Sequence, residues 1–259
     1  MDLGIGGLKV LITAGAGGIG LKTAQTFLRE GAKVHVCDVD DEALAQLADT
    51  APGATGTKCD VSNRDQVAAL IDTALDDLGG IDCLVNNAGI AGPTGRIDEI
   101  APEDWERCLE VCITGQFNIA RIAVPHLKAS QRHPSIINYS SAAGRFGFPL
   151  RSPYASAKWA VVGFTKTLAM ELGPNGIRCN VIQPGPVDGA RIRAVIDAKA
   201  RAANKSFEEM QSDILAHQSI KQLIPPQQLA DLTVYLASPL TSLISGQEFA
   251  VDGDMQQLA

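Results

Sequence analysis

Seven short runs, several of them continuously apolar, punctuate the chain at 8–13, 33–37, 56–59, 81–85, 135–140, 177–183 and 247–251, and each reads as a β-strand. Helical stretches alternate with them. Residues 21–30 form a helix stopped by Gly31, and 41–49 form another. A third runs to about Leu78, with Ser62 as its cap and Asp65 at the third position. Pro102 opens a long helix over 102–127, in which Trp105, Leu109 and Phe117 are expected core residues. Further helices cover 154–172 and 227–237, the latter behind Pro225 and Pro226. Residues 190–224 are polar and helix-prone and contain no strand of their own. Strands and helices that alternate throughout point to an α/β fold, a single doubly wound parallel β-sheet of about seven strands with helices on both faces. No repeat, low-complexity tract or linker divides 1–259, so one domain is expected, with 190–224 as a helical segment on the substrate side.

Composition narrows the picture. A chain of 259 residues with 46% hydrophobic content can bury one large core. The longest apolar runs are too short to span a bilayer, and the first residues, MDLGIGGLKVLIT, lack the basic and apolar regions of a signal peptide. A net charge of −7 argues against a nucleic-acid partner. Six cysteines (37, 59, 83, 108, 112 and 179) occur without CxxC spacing, and four lie in or beside strand-like runs. Buried, reduced thiols in a cytoplasmic protein are therefore expected, and no metal site is.

Two stretches carry candidate chemistry. The first strand runs straight into a glycine cluster, Gly15, Gly17, Gly18 and Gly20 around Ala16 and Ile19, and then into a helix. The second strand ends at Asp38, eighteen residues after Gly20. Free amides at a helix start bind phosphate, and a carboxylate at that distance suits the hydroxyls of an adenosine ribose. The second stretch is SAAGRFGFPLRSPYASAK at 141–158. Tyr154 and Lys158 are four residues apart and share a face if this segment is helical. An ammonium there favours the tyrosine's phenolate, and a tyrosine so placed can exchange a proton with an alcohol or carbonyl. Ser141, at the end of the fifth strand, can hydrogen-bond the same oxygen. A Tyr-x-x-x-Lys pair taken alone is an ordinary surface feature; the rest of the chain gives it weight.

That order of motifs resembles the short-chain dehydrogenase/reductase family over nearly the whole chain. The matching segments are TAGAGGIG at 13–20, Asp60 with Val61, NNAG at 86–89, Ser141, YASAK at 154–158, GIRCN at 176–180, and Pro184 with Gly185. The resemblance implies a Rossmann-type fold of seven parallel strands and hydride transfer between a nicotinamide and a substrate carbinol carbon. By the same resemblance Gly18, Ile19 and Gly20 line the pyrophosphate, Asp60 and Val61 border the adenine, and Asn87 and Gly89 flank a ribose. Val187, after Pro184, touches the nicotinamide. Ser141 orients the substrate oxygen, Tyr154 is the acid/base, and Lys158 holds the nicotinamide ribose. A homotetramer is implied as well. Trp159, Val162, Gly163, Leu168 and Ala169 offer more apolar and small surface than one helix stripe needs.

Three positions depart from the family pattern: Ala14 replaces its first glycine, Cys112 its active-site asparagine, and Gly189 the threonine after the Pro-Gly turn. They keep open the alternative of a catalytically weakened NAD-binding regulatory or scaffold protein. The presence of Ser141, Tyr154 and Lys158 together favours an NAD-dependent enzyme acting on the CH–OH group of a small polar substrate such as a sugar, polyol or hydroxy acid. NAD rather than NADP is expected from Asp38 and from the absence of Lys or Arg in the glycine loop. Arg145 and Arg151 between Ser141 and Tyr154, and Arg191 and Arg193 beyond the Pro-Gly turn, are candidate ligands for an anionic substrate group.

Overall fold

Strands β1 (Lys9–Thr13), β2 (Lys33–Asp38), β3 (Thr55–Lys58), β4 (Cys83–Asn86), β5 (Ser135–Tyr139), β6 (Arg178–Pro184) and β7 (Glu248–Val251) pair in parallel, in the order β3-β2-β1-β4-β5-β6-β7. This computed structural model describes residues 2–258, so Met1 and Ala259 of the expected 1–259 unit lie outside it. The strand order reverses between β1 and β4, and the crevice this opens at the strands' carboxyl ends is where such sheets place ligands.

Side chains of consecutive strand residues alternate between the two faces, and each face is covered. On one face Val10, Ile12, Val34, Val36 and Val85 pack with Phe27 of helix α1 (Gly18–Arg29). Leu229 and Leu236 of the carboxyl-terminal helix, Pro226–Ala237, complete that layer. On the other, Leu11, Leu84 and Ile136 pack against three further helices. Leu70 and Ile71 come from Arg64–Leu78, Ile119 and Leu127 from Gly115–Ala129, and Leu172 from Ser152–Leu172. In chain order α2 is Asp41–Ala45, α3 Leu47–Thr50, α4 Arg64–Leu78, α5 Pro102–Leu109, α6 Gly115–Ala129 and α7 Ser152–Leu172. Then come α8 (Ala190–Ala203), α9 (Phe207–Ala216) and α10 (Pro226–Ala237). The sheet is thus doubly wound. All six cysteines are free and buried.

Three details differ from the sequence expectation. Asn63, not Ser62, caps α4, its side chain accepting from the amides of Asp65 and Gln66 at 3.0 and 3.1 Å. Ser62 instead donates its hydroxyl to Asp60 at 2.7 Å. The long helix is interrupted by a π-helical turn, Glu110–Thr114, between α5 and α6. Phe117 is 42% exposed and Trp105 only half-buried, because the helix turns Cys108, Cys112, Ile119 and Ala123 inward instead. A π-turn carries one residue more than an α-turn and rotates everything beyond it about the axis.

Helix α7 is tied to the sheet by a buried polar chain. Asn86 donates to Asn138 at 2.9 Å, Asn138 donates to Thr165 at 2.9 Å, and Thr165 returns its hydroxyl to the Val161 carbonyl at 2.7 Å. In a low-dielectric core such a chain of hydrogen bonds fixes register, although Asn86 Oδ1 is left without a partner. Gly144 completes the docking. A Cβ there would lie 2.2 Å from Ser140 Oγ and 2.6 Å from the Lys158 carbonyl oxygen, so only glycine lets the Ser141 loop lie against α7.

Candidate active site

A cavity of about 560 Å³ lies along the carboxyl edge of the sheet, from Asp38 and Asp60 beyond β2 and β3 to Ser141, Tyr154 and Lys158 beyond β5. Its floor at the β1 end is the glycine loop. Ala14 adopts a left-handed backbone, φ 50°, at the position where the family pattern has glycine. That conformation costs an L-residue roughly 1–2 kcal/mol. The turn nevertheless closes, because Asn87 Nδ2 donates to the carbonyls of Thr13 and Ala14, each at 3.0 Å. Its backbone amide also donates to Thr13 Oγ1, at 3.0 Å.

The glycines divide by task. Cβ atoms at Gly15 and Gly20 would meet Val36 at 2.6 Å and the Ala14 carbonyl oxygen at 2.1 Å, so these two let the loop pack on the sheet. Gly17 and Gly18 would meet nothing and border the cavity with Ile19, while Gly15 and Gly20 do not. No side chain caps the amino end of α1, and its first turn holds no acid. Open amides beside two bare glycines form a cradle that fits a pyrophosphate.

Asp38 closes this end. One carboxylate oxygen accepts from the Ala16 amide at 3.1 Å, and the other accepts from Val39 at 2.8 Å. Asp60 receives Arg107 at 2.7 Å in addition to Ser62. Burial alone would raise its pKa, but the hydrogen bonds from Ser62 and Arg107 outweigh it and hold the carboxyl below its ordinary range. Arg107 borders the cavity, and so do Met255, Gln257 and Leu258 near the carboxyl terminus. No local motif marks any of these four, since each reaches the cavity through tertiary folding alone.

At the other end α7 presents Tyr154 and Lys158 one turn apart. Lys158 is 3% exposed. Its ammonium donates to the Tyr139 carbonyl at 2.9 Å and lies 5.7 Å from the centre of the Tyr154 ring. Ser141 accepts from the Ala143 amide at 3.2 Å, which orients its hydroxyl from the loop opposite α7. Asn87, Gly89, Pro184, Val187 and Gly189 border the same cavity.

Cys112 sits in the π-turn, fully buried, behind Gly89 and Lys158. Its sulfur faces both polar groups of Ile90, accepting from the amide and donating to the carbonyl, each at 3.4 Å. A hydrogen bond from Cys108 and, beyond the opposing cost of burial, the Lys158 charge pull its pKa down. An asparagine carboxamide offers an acceptor and a donor and can satisfy the same Ile90 pair. Cys112→Asn is therefore expected to fold and remain active, whereas Cys112→Ala strands the Ile90 amide and costs about 1 kcal/mol. Melting curves and turnover for the two variants check this. A folded but inactive Cys112→Asn protein would assign the thiol a task of its own.

The four candidate arginines separate. Arg145 ion-pairs with the buried carboxylate of Asp252, and Arg193 pairs with Asp188 at 3.0 Å. Neither borders the cavity, whereas Arg151 and Arg191 do.

Comparison with known proteins gives the same family at several levels. The family model described as enoyl-(acyl carrier protein) reductase matches residues 14–256. A 3-oxoacyl-[acyl-carrier-protein] reductase of Thermotoga maritima is 34% identical, over 96% of this chain and 98% of its own length. Among solved structures, L-sorbose reductase from Gluconobacter frateurii, complexed with NADPH and L-sorbose, superposes with a TM-score of 0.90 at 29% identity, covering 98% of each chain. An NAD+-bound xylitol dehydrogenase gives 0.90 at 25% identity, covering 96% of this chain and 99% of its own. The chain belongs to the short-chain dehydrogenase/reductase family, nicotinamide-dependent oxidoreductases acting on alcohol and carbonyl groups.

Proposed function

We propose that the protein is an NAD-dependent dehydrogenase/reductase of a secondary alcohol or carbonyl in a small polar substrate, with Tyr154 as the acid/base. The observation that carries this reading is the single cavity that joins Asp38 and the open amides of α1 at one end to Ser141, Tyr154 and Lys158 at the other. Gly17, Gly18, Ile19, Asp38, Asp60, Val61, Asn87, Gly89, Pro184 and Val187, all bordering the cavity, would hold the dinucleotide along its length. When bound, the nicotinamide supplies the hydride acceptor or donor.

The chain's own residues handle the proton. Ser141 Oγ hydrogen-bonds the substrate oxygen and holds it at Tyr154 Oη. In oxidation the alcohol proton passes to the Tyr154 oxygen as the carbinol carbon gives up its hydride, leaving a carbonyl. In reduction the phenol returns the proton to the nascent alkoxide. Lys158, pinned by the Tyr139 carbonyl, holds its ammonium 5.7 Å from the centre of the Tyr154 ring, where it can also reach the nicotinamide ribose. The relatives are named for a 3-oxoacyl-[acyl-carrier-protein] and for L-sorbose, so they support the reaction class and leave the substrate to be found by profiling.

The test is absorbance in the reduced-nicotinamide band when purified protein receives NAD and a panel of alcohols, sugars and hydroxy acids. Substrate-dependent growth of that band is expected. NAD binding without turnover on any panel member would overturn the enzyme reading in favour of an NAD-binding regulatory protein.

Self-association is part of the proposal, with a tetramer suggested by the family resemblance. On α7, Val162 and Leu168 are buried within the subunit, but Trp159 and Met170 are 51% and 82% exposed, and Phe117 of α6 is 42% exposed. Large apolar side chains left in water on two helices favour a second copy as cover. Sedimentation at micromolar concentration is expected to show an oligomer, and a stable monomer would count against it. Six free, buried thiols favour a reducing, cytoplasmic setting, and among the described residues no helix is long and apolar enough to cross a membrane.

A further inference from the structure

The two ends of the cavity differ in charge. Its bordering carboxylates are Asp38 and Asp60 on the β2–β3 side, and Asp188, which is paired with Arg193. Beyond Tyr154 the bordering side chains include Arg151, Arg191 and Lys199. Arg151, the residue before α7, is 4% exposed. It donates to the Ala91 carbonyl at 2.5 Å, while its Nε is buried with no hydrogen-bond partner. Its guanidinium lies 5.5 Å from the centre of the Tyr154 ring and 5.3 Å from that of Phe148. The Lys199 ammonium lies 5.0 Å from the same Phe148 ring. Arg191, at the start of α8, reaches back to the Gly89 carbonyl. Neither Arg151 nor Arg191 has a carboxylate partner among the described residues.

Burying a guanidinium without a counter-charge is unfavourable, and a second cation nearby makes it more so. Burial is the largest influence lowering the Arg151 pKa, with Arg191 adding to it, and Lys199 is lowered by burial and then by Arg151. Arg191 thus acts on Arg151, and Arg151 on Lys199, at the substrate end of the cavity. A bound anion on the part of the Arg151 guanidinium that borders the cavity would offset this charge, and the planar fork of the group suits a carboxylate or sulfonate.

We propose that the substrate carries an anionic carboxylate or sulfonate group, seated on Arg151 with Arg191 and Lys199 as the surrounding positive wall, while its carbinol or carbonyl oxygen meets Tyr154. This assignment rests on the dehydrogenase reading above and specifies its substrate class. Arg151 is the residue that selects the anion. The guanidinium also lies over the tyrosine ring, so anchor and reacting oxygen belong to one small molecule.

The experiment is calorimetric titration of NAD-loaded protein with matched pairs of three- to eight-carbon hydroxy compounds. Each pair is a hydroxycarboxylate and its methyl ester, with hydroxyalkanesulfonates as a third arm to separate the two anion types. At least one acid or sulfonate is expected to bind about tenfold or more tightly than its neutral counterpart. Arg151→Gln should erase that preference, and Arg151→Lys should restore part of it. If no anion is preferred in the wild-type protein, or if folded Arg151→Gln keeps the preference, the proposal fails. Should Arg151→Gln not fold, Arg191→Gln and the wild-type pairs still decide. An anion that binds selectively but is never oxidised would remove the dehydrogenase reading and leave the subsite. Turnover confined to neutral alcohols would do the reverse.

Discussion

Replacing Tyr154 with phenylalanine is expected to lower turnover by about 10²–10⁴-fold, the usual contribution of a general acid–base group, while NAD binding and folding stay close to wild type. The change removes one oxygen. Among the described residues the Tyr154 hydroxyl makes no hydrogen bond to the protein, so no buried partner is stranded. The ring itself keeps its contacts, packing beside Cys108, Cys112 and Ala157, with Arg151 and Lys158 near it. A phenyl ring retains that packing and much of the attraction to the two cations. What disappears is the atom proposed to take the proton from the alcohol. Steady-state kinetics paired with NAD titration separates the two effects, because a lost proton acceptor lowers kcat while cofactor affinity holds. A variant that keeps more than about a tenth of the wild-type rate would show that the proton travels by another route. A variant that loses NAD binding as well would place the phenol in cofactor retention.

The parts of this architecture that sequence reveals are those whose cause is local. The strand runs 8–13, 81–85, 135–140 and 177–183 fall on strands of the buried sheet, where both faces are covered and apolar residues follow one another without alternation. The tyrosine and lysine of α7 are legible because a four-residue spacing on one helix places two groups side by side whatever surrounds them. The glycine cluster shows where the loop is, but not which glycine does what. That depends on Val36 and on the Ala14 carbonyl, which press on Gly15 and Gly20 and leave Gly17 and Gly18 bare.

The rest has no local signature. A π-turn is one added residue within an otherwise helical pattern, and periodicity over 102–127 reads straight through it, so Phe117 is misassigned to the core. Arg145 and Arg151 look equivalent in the loop before α7. One finds Asp252, 107 residues away, and the other finds the Ala91 carbonyl and two aromatic rings but no carboxylate among the described residues. Their difference in charge balance is set by what the distant carboxyl-terminal stretch brings to the loop. Ser62 and Asn63 are both good caps, and Asp60 decides between them by taking the Ser62 hydroxyl.

On the proposed reading, the choice of dinucleotide is expected to turn on Asp38. In the wild-type protein the efficiency with NAD is expected to exceed that with NADP, and Asp38→Asn is expected to narrow the gap. Asp38 sits at the end of β2, facing the cavity beside Gly17 and Gly18, with its oxygens already drawing on the amides of Ala16, Val39 and Asp40. A carboxylate there accepts hydrogen bonds from ribose hydroxyls, and hydrogen bonds to charged groups contribute roughly 1.5–3 kcal/mol, about one to two powers of ten in affinity. The same charge opposes a 2′-phosphate. Lys58 on β3 is paired in register with Asp38, but its ammonium is held by Asp41 at 2.5 Å and it does not border the cavity. Asp40 and Asp41 keep the surroundings negative. Asparagine preserves shape and one acceptor oxygen while removing the charge; with that oxygen kept toward Ala16, the exposed Val39 and Asp40 amides can turn to water, so the loop should stay folded. The expected signature is a loss of NAD efficiency together with a gain for NADP, read as kcat/KM for the two cofactors against one substrate. Lys58 freed by Asp41→Asn should push preference further toward NADP, since an ammonium beside the ribose is what a phosphate needs. Equal or better efficiency with NADP in the unaltered protein would overturn the assignment of Asp38. It would also point to Arg107, which borders the same end of the cavity, as the residue that receives the extra phosphate.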